Sequence, residues 1–425
     1  MTGSDARLLV AALGIDNLGS GMFLPLVLVY VTHEVGVPLG LAGALVSAGA
    51  LIGLLVPLVA GRFVDALGPR NIIIAAQLTQ LVGMLAYLIA QGPAMVFVAA
   101  ALTICGSQLF YSALFTLVGE IAPAEPKDHF FAGVDMVRSA CFGIGALIAG
   151  VLFAIGGQGA LVVIVVMNAA SFLIGAAIGL FMTKGRRRDR RRTPGRPEES
   201  AHTIDTPAHA TSVWLNGPFL LLTLSATMVT FASDFFLVGM SVFALNRLGT
   251  PGWLPGISIA TLTVISSIAM AWMVRRTRSL ARTTVIALGT AVITVWAITC
   301  MLTLAVPKAW APTWLIGATV VLAVGQLLIG TRPNALAESI APIGAKGRYL
   351  SFFQFGFSLA GVLAPLLVGV LAVSALLPWI IVAVIAMTGG ALILALGPHL
   401  PTKAVHPTRR SSDVRHDQVA GTAAD

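Results

Sequence analysis

Charged residues are scarce in this chain, since only 10% of its 425 residues are Asp, Glu, Lys or Arg, whereas 57% are hydrophobic. An average soluble domain carries about 25% charged residues. The mean hydropathy of +0.93 and the long apolar runs exceed what a water-soluble core requires. These runs lack the period-two alternation of a membrane β-barrel. The sequence therefore predicts an all-α integral membrane protein.

Residue sets that carry catalysis or bind metals are also missing. The three cysteines, Cys105, Cys141 and Cys300, lie in apolar runs without CxxC spacing, which supports neither a disulfide framework nor a zinc site and favours a packing role. No set of His, Cys and carboxylate residues shares the helical spacing of a metal site, and there is no GxxxxGK[ST] phosphate-binding loop. We therefore expect neither an enzyme nor an ATP-driven pump. We also expect no metal or other cofactor, with a proton gradient as the energy source.

Apolar runs separated by short polar segments predict twelve transmembrane helices. They cover residues 7–31, 40–60, 72–91, 95–118, 131–155, 160–182, 217–245, 253–274, 284–305, 312–336, 348–373 and 377–397. Loops on one side carry nearly all the Lys and Arg residues, and the opposite loops carry only Arg247 and Lys308. This bias predicts cytoplasmic N- and C-termini. Abundant Ala, Gly, Val and Arg indicate a bacterial protein, and hence the plasma membrane.

The polar segments divide the chain into four parts. Residues 1–182 and 215–400 are each predicted to form a six-helix half. Residues 183–214, which include "GRRRDRRR", predict a basic, disordered cytoplasmic linker, and residues 401–425 predict a disordered cytoplasmic tail. Because the net charge of +9 lies in loops beside the bilayer, membrane topology explains it, and we expect no nucleic-acid partner.

The two halves resemble each other in sequence. "DNLGSGM", starting at Asp16, matches "DFFLVGM", starting at Asp234, at an offset of 218 residues. Gln108 matches Gln326 and Glu120 matches Glu338 at the same offset. Because six spans return the chain to the same side, the halves are predicted to be parallel repeats related by an axis along the membrane normal. Such repeats enclose a central cavity.

One loop carries a family signature. Between the second and third predicted spans, "GRFVDALGPRN" resembles the GxxxDxxGx(R/K) motif of the major facilitator superfamily, with Gly61, Asp65, Gly68 and Arg70 on the motif positions. The resemblance implies an alternating-access transporter in which this motif helps to hold the outward-open state. The matching loop of the second half, "VRRTRSLARTT", has lost the pattern, which predicts an asymmetric gate.

The drug:proton antiporter branch of that superfamily is also similar, but with departures. Its RxxxG motif in the fourth helix has Leu102 here in place of arginine. Its glycine-proline signature in the fifth helix has Ala146 in place of proline. The superfamily resemblance spans the whole chain, whereas the branch resemblance rests on these partial matches.

Polar residues inside the spans are the candidate pathway residues. Asp16 and Asp234 are predicted to couple transport to protons, because a carboxylate within the bilayer is costly unless it has a function. A purely structural hydrogen-bonding role for either aspartate is the alternative. The superfamily resemblance implies that the first, fourth, seventh and tenth helices line the cavity. The predicted cavity residues are Asn17, Gln108, Asn168, Gln326 and Arg332.

A second group of charged residues lies near the cytoplasmic helix ends. Glu120, Asp135, Arg138 and Glu338 are predicted to form gate salt bridges, with Asp135 and Arg138 at i and i+3 on one helix face. Together these features predict a monomeric transporter in the lipid bilayer that couples protons to the efflux of small amphipathic or cationic compounds. A specific metabolite uniporter or symporter is one alternative. A non-transporting membrane receptor or sensor is another.

Overall fold

The computed structural model describes residues 3–121, 127–181, 213–342 and 346–405, and within these ranges the chain is helical and forms no strand. The α-helices are α1 (Gly3–Phe23), α2 (Val27–His33), α3 (Leu39–Gly53), α4 (Val56–Leu67), α5 (Pro69–Leu88), α6 (Pro93–Ile121), α7 (Lys127–Gly156), α8 (Gly159–Phe181), α9 (Gly217–Val242), α10 (Leu254–Arg276), α11 (Arg282–Leu302), α12 (Ala311–Ile329), α13 (Arg332–Ile340), α14 (Lys346–Gly369), α15 (Leu377–Leu396) and α16 (Thr402–Val405).

The predicted twelve spans are confirmed. Eleven helical segments are long and apolar enough to cross a bilayer, and α3 with the first part of α4 forms a twelfth span that is bent by 40°. Proline at the first or second position starts many of these helices, where its missing N–H has no intrahelical partner to lose. Examples are the prolines at 69, 93, 218, 255, 312 and 378.

Helix packing repeats between the two halves. In the first half, α1 packs against α7 and α8, α5 against α6 and α8, and α3 against α6. In the second half, α9 packs against α14 and α15, α11 against α12 and α15, and α10 against α12. Each of these five contacts in the first half has its counterpart six spans later in the second. This correspondence confirms the predicted parallel repeats.

The halves meet mainly along two helix pairs, α3 with α14 and α7 with α10, and each pair corresponds to the other under the repeat. The later part of the first span, residues 24–33, also contacts α9. We call the side of the molecule that carries Arg70, Arg276, Arg282 and Arg348 the basic side, and the opposite side the far side. A Cβ atom at Gly43 would collide with the Pro365 carbonyl, and one at Gly256 would collide with the Ala146 carbonyl. These glycines lie toward the far-side ends of their helices, where the halves are in backbone contact.

Besides the bent second span, two further spans are interrupted. The first span breaks between α1 and α2 through a short 3₁₀ turn that contains Pro25. The tenth span breaks between α12 and α13 at Gly330, whose φ of 48° lies in the left-handed region that glycine tolerates. Most of the predicted linker and of the predicted tail falls outside the described residues, although the tail begins with the short helix α16.

Candidate functional site

Asp16 lies on α1 and is only 3% exposed. Its Oδ1 accepts a hydrogen bond from Nε2 of Gln77 at 2.9 Å and a longer one from Nε2 of Gln80 at 3.5 Å, both on α5. No Lys, Arg or His side chain in the described ranges forms an ion pair with Asp16. The carboxyl group is therefore held inside the first half by neutral amides alone, between α1 and α5.

Small residues bring the helices close around this carboxyl group. Gly19 of α1 faces Asn168 and Ser171 of α8, and a Cβ atom there would collide with the Ser171 hydroxyl. Gly175 of α8 faces the amide of Gln77, and its missing side chain leaves the space that this amide occupies. Glycine at these positions allows α1, α5 and α8 to approach closely enough for Gln77 to reach Asp16.

A second polar group connects α1 to α6 and α7. The side chain of Asn17 donates to the Leu13 carbonyl at 2.9 Å and accepts from the Tyr111 hydroxyl at 3.1 Å. The guanidinium of Arg138 lies over the Tyr111 ring, with 5.8 Å between its central carbon and the ring centroid, which is cation–π geometry. Asn17 is buried, whereas Tyr111 and Arg138 are half-buried, so this group extends from the helix core toward a more accessible region.

The environment of Asp234 differs from that of Asp16. Asp234 is half-buried on α9, and a Cβ atom at Gly361 of α14 would lie 3.7 Å from its Oδ2. No hydrogen bond joins its carboxyl group to another described residue. Its neighbour Ser233 accepts a hydrogen bond at 3.0 Å from Nε2 of Gln326, which lies on α12. The two sequence-matched aspartates therefore lie in different surroundings, one enclosed within its half and the other at the α9–α14 contact.

The remaining predicted cavity residues do not converge on one point. Asn168 is 1% exposed on α8, where it donates to Met84 Sδ at 3.3 Å and accepts from the Ser171 hydroxyl. Gln108 is half-buried on α6, and its backbone carbonyl accepts from the Ser112 hydroxyl. The structure thus places Asn168 within the first half, close to Gly19 of α1, and not near Gln326 of the second half.

Arg332 closes the break in the tenth span. Its guanidinium donates to the Leu328 carbonyl at 2.6 Å and to the Thr277 hydroxyl at the end of α10. The Leu328 carbonyl lies just before the break at Gly330, where regular helical bonding stops. Arg332 therefore stabilises the irregular backbone between α12 and α13 and ties it to α10.

The family motif forms the turn between α4 and α5. Gly68 has a φ of 83°, a left-handed conformation that suits glycine, and Gly61 has open space around its Cα. Arg70 donates from Nε to the Gly179 carbonyl at 2.9 Å and from its other nitrogen Nη2 to the Leu180 carbonyl at 2.6 Å. It thereby caps the C-terminus of α8, where a cation also interacts well with the helix dipole. The side chain of Asp65 lies outside the described residues.

The second half contains a related clamp that the sequence comparison missed. Arg282, the first residue of α11, donates to the Ala404 carbonyl in α16 at 2.9 Å. Arg70 and Arg282 therefore each tie the start of the third helix of a half to the chain at or beyond the end of its sixth helix. The motif has changed in this loop, but an arginine with an equivalent contact is present.

The predicted gate salt bridges are only partly within the described residues. The side chains of Glu120 and Asp135 lie outside them, so their predicted pairing remains a prediction. Glu338 is exposed on α13, and Arg138 is half-buried beside Tyr111. Arg138 therefore lies next to the polar group that includes Asn17.

An apolar groove of about 340 Å³ opens between α4, α5 and α6. It lies on the basic side of the bend between α3 and α4. On the far side of the bend, Gly49 and Gly53 of α3 pack directly on α6. The groove is lined by Val56, Val59, Phe63, Ile72, Thr79, Cys105 and Leu109.

Gln77, Gln80 and Tyr111 are site residues that the sequence predictions omitted. Gln77 and Gln80 stand at i and i+3 in the middle of the predominantly apolar helix α5, so they share one face. Two side-chain amides at that spacing within a membrane span predict a polar partner on a neighbouring helix, because the lipid offers them no hydrogen bond. Tyr111 gave no comparable signal, since its role depends on the position of α6 relative to Asn17.

Comparison with known proteins agrees with this architecture. The sequence model of the protein family Major Facilitator Superfamily matches residues 9–298, which is more than half of the chain. A comparison with curated protein sequences gave no significant match.

Solved structures of transporters share the fold. A peptide transporter POT in complex with sulfate has 16% identity and a TM-score of 0.72 over 93% of this chain and 94% of that one. A D323A mutant of the nucleoside transporter NupG has 10% identity and a TM-score of 0.72 over 92% and 99%. A bacterial homologue of the iron transporter ferroportin in an inward-facing state has 13% identity and a TM-score of 0.68 over 93% and 99%. With the repeated packing and the motif at Gly61 to Arg70, the family match establishes that this chain is a multi-pass membrane protein of the major facilitator superfamily of transporters.

Proposed function

We propose that this chain is a proton-coupled secondary transporter that exports small amphipathic or cationic compounds across the bacterial plasma membrane, with Asp16 as the proton carrier. The observation that carries the proposal is the enclosure of Asp16 in a membrane span with two neutral amides as its hydrogen-bond donors. A charge buried without a counter-charge costs several kcal/mol, on the order of the penalties for intramembrane carboxylates. Binding a proton removes that charge and hence the penalty.

Proton binding at this position acts on the packing between helices. Asp16 stands on α1, and its amide partners stand on α5, so a change in its charge alters the interaction between the first and third spans. The neighbouring Asn17 is bonded to Tyr111 of α6, which lies beside Arg138 of α7. Two consecutive residues of α1 are therefore linked directly to α5 and α6, and through Tyr111 to α7. A proton at Asp16 is well placed to bias an alternating-access equilibrium.

The proposed substrate class rests on the apolar groove of the first half and on Asp234 of the second half. The groove between α4, α5 and α6 is lined almost entirely by apolar side chains, as an apolar portion of a substrate requires. Asp234 is a half-buried carboxyl group without a hydrogen bond to a described residue, which suits a cationic group. We propose that Asp234 is a second functional carboxyl group, which binds either the cationic substrate or a proton.

The experiment is transport into proteoliposomes under an imposed pH gradient, with a panel of lipophilic cations and neutral amphipathic compounds. We expect gradient-driven accumulation that the Asp16→Asn variant loses and the Glu34→Gln variant retains, since Glu34 is an exposed carboxylate at the end of the same span. Accumulation by the Asp16→Asn variant at the rate of the unmodified protein would refute the assignment. If an Asp234→Asn variant still accumulates neutral compounds under the pH gradient but no longer accumulates cations, Asp234 binds the substrate.

A further inference from the structure

Gln77 has one polar atom bonded and one unpaired. Its side chain is fully buried, and Nε2 donates to Asp16, but Oε1 has no hydrogen-bond partner. Leaving a buried acceptor unsatisfied costs about 1–3 kcal/mol. Such a group in a native fold requires an explanation. The explanation lies next to it, because Asp16 is the group whose hydrogen-bonding chemistry changes when a proton binds.

The residues around Asp16 offer its carboxyl group few other hydrogen-bond partners. From α5 it meets only Gln77 and Gln80. From α8 the nearby polar residues are Asn168 and Ser171, which bond to each other, with Gly175 behind Gln77. The titratable or charged groups on the described parts of the packed helices include Tyr111 of α6, bonded to Asn17, and Arg138 and Cys141 of α7, which lie over the Tyr111 ring and against Gly14 respectively. The others are Arg70 and Tyr87, near the two ends of α5, and Cys105 of α6, which lines the apolar groove.

We infer that Gln77 is the positioning residue that serves both protonation states of Asp16, an inference that rests on the proposed function of Asp16. With the carboxylate, Nε2 of Gln77 donates to Oδ1, as the structure shows. When a proton binds to the carboxylate, the new O–H group is a donor and needs an acceptor. A half-turn about the terminal torsion of Gln77, which is broadly two-fold, exchanges Nε2 for Oε1. Oε1 then accepts the O–H, while Gln80 remains as a donor.

Gly175 provides the room for this rotation. A Cβ atom at position 175 would lie 2.9 Å from Cδ and Oε1 of Gln77 and 3.2 Å from Nε2. Those distances are shorter than normal carbon contacts, so an alanine would wedge against the amide. Glycine leaves the amide free to present either edge to Asp16. Proton binding thereby exchanges one hydrogen bond between α5 and α1 for another through a single side-chain torsion.

Infrared difference spectroscopy of the protein in liposomes, between low and high pH, tests this role. The carbonyl stretch of a protonated carboxyl group is assigned to Asp16 by its loss in the Asp16→Asn variant. In Gln77→Met, which keeps the volume but removes both polar atoms, we expect this band to shift to higher frequency. We expect a smaller shift in the matched variant Gln80→Met, because Gln80 lies 3.5 Å from Oδ1 and is not the acceptor. Gly175→Ala should shift the band in the same direction as Gln77→Met.

The outcomes separate the two levels of the argument. An Asp16 band that is unchanged in Gln77→Met, or equally shifted in Gln80→Met, overturns the role of Gln77 and leaves Asp16 as a proton site. A spectrum in which Asp16→Asn removes no band overturns the proton-carrier function and this inference with it. Thermal unfolding of each variant checks that it is folded, so a shifted band in a stable Gln77→Met protein reports on the hydrogen bond alone.

Discussion

The close contact between α1 and α7 allows us to predict how much Gly145→Ala changes the free energy of unfolding. A Cβ atom at Gly145 would collide with the Leu18 carbonyl oxygen and lie 3.0 Å from the Leu18 carbonyl carbon. Backbone atoms in the middle of a helix do not swing aside as a flexible side chain does. The added methyl group therefore forces the two helices apart along a contact that the first half needs for its packing.

The magnitude follows from two opposing terms. Alanine is favoured over glycine in a helix interior by about 1 kcal/mol. Overpacking a tight contact costs about 1–3 kcal/mol, and a clash with backbone belongs at the upper end of that range. We therefore expect Gly145→Ala to lower the free energy of unfolding by about 2 kcal/mol. For a unit of 150–250 residues this corresponds to a decrease in Tm of roughly 4–8 °C.

The assay is thermal unfolding in detergent, followed by intrinsic tryptophan fluorescence. Gly317→Ala is the matched control, because Gly317 also lies inside a helix, α12, but has no atom within 4 Å of its would-be Cβ. We expect Gly317→Ala to be neutral or to stabilise the protein by at most about 1 kcal/mol. Equal effects of the two substitutions, or a stabilised Gly145→Ala protein, would refute the claim that backbone contact defines this interface.

Three further substitutions test other contacts. Arg70→Met removes two charge-assisted hydrogen bonds to the end of α8, so we expect the free energy of unfolding to fall by about 1–3 kcal/mol. Amide hydrogen exchange in the last turn of α8 should become faster. The control is Arg62→Met, an exposed position where we expect almost no change in stability. Arg332→Met leaves the carbonyl before the α12–α13 break unpaired, which should lower stability by about 1–3 kcal/mol; an unchanged Tm would contradict the clamp. Gly43→Val should separate α3 from α14 at the far side, and spin-label distances across that contact should lengthen; unchanged distances would count against it.

Much of the fold followed from simple physical constraints on the sequence. A bilayer requires helices that satisfy their own backbone, so apolar length alone located each span to within a few residues. The matching of Asp16 to Asp234 predicted the parallel repeat that the helix contacts confirm. The bend between α3 and α4 and the break at Gly330 were not predicted, because both depend on tertiary packing in a continuous apolar run.

The candidate site was predicted less completely. The sequence identified Asp16 as unusual, but the repeat implied that Asp234 has equivalent surroundings, and it does not. Side-chain direction around a helix axis decides which neighbour a residue meets, and an alignment of the two repeats does not reveal that direction. The place of Arg332 in the cavity stays a prediction, and its hydrogen bonds to Leu328 and Thr277 could not be predicted because they depend on the break between α12 and α13.

The most direct test of the central claim compares two transport modes of the Asp16→Asn variant in proteoliposomes. One mode is accumulation of a transported cation driven by a pH gradient. The other is exchange of labelled for unlabelled cation at equal pH, which needs no net proton movement. If Asp16 is the proton carrier, the variant loses the first mode and keeps the second. Retention of pH-driven accumulation by a variant that has no carboxyl group at position 16 would contradict the account.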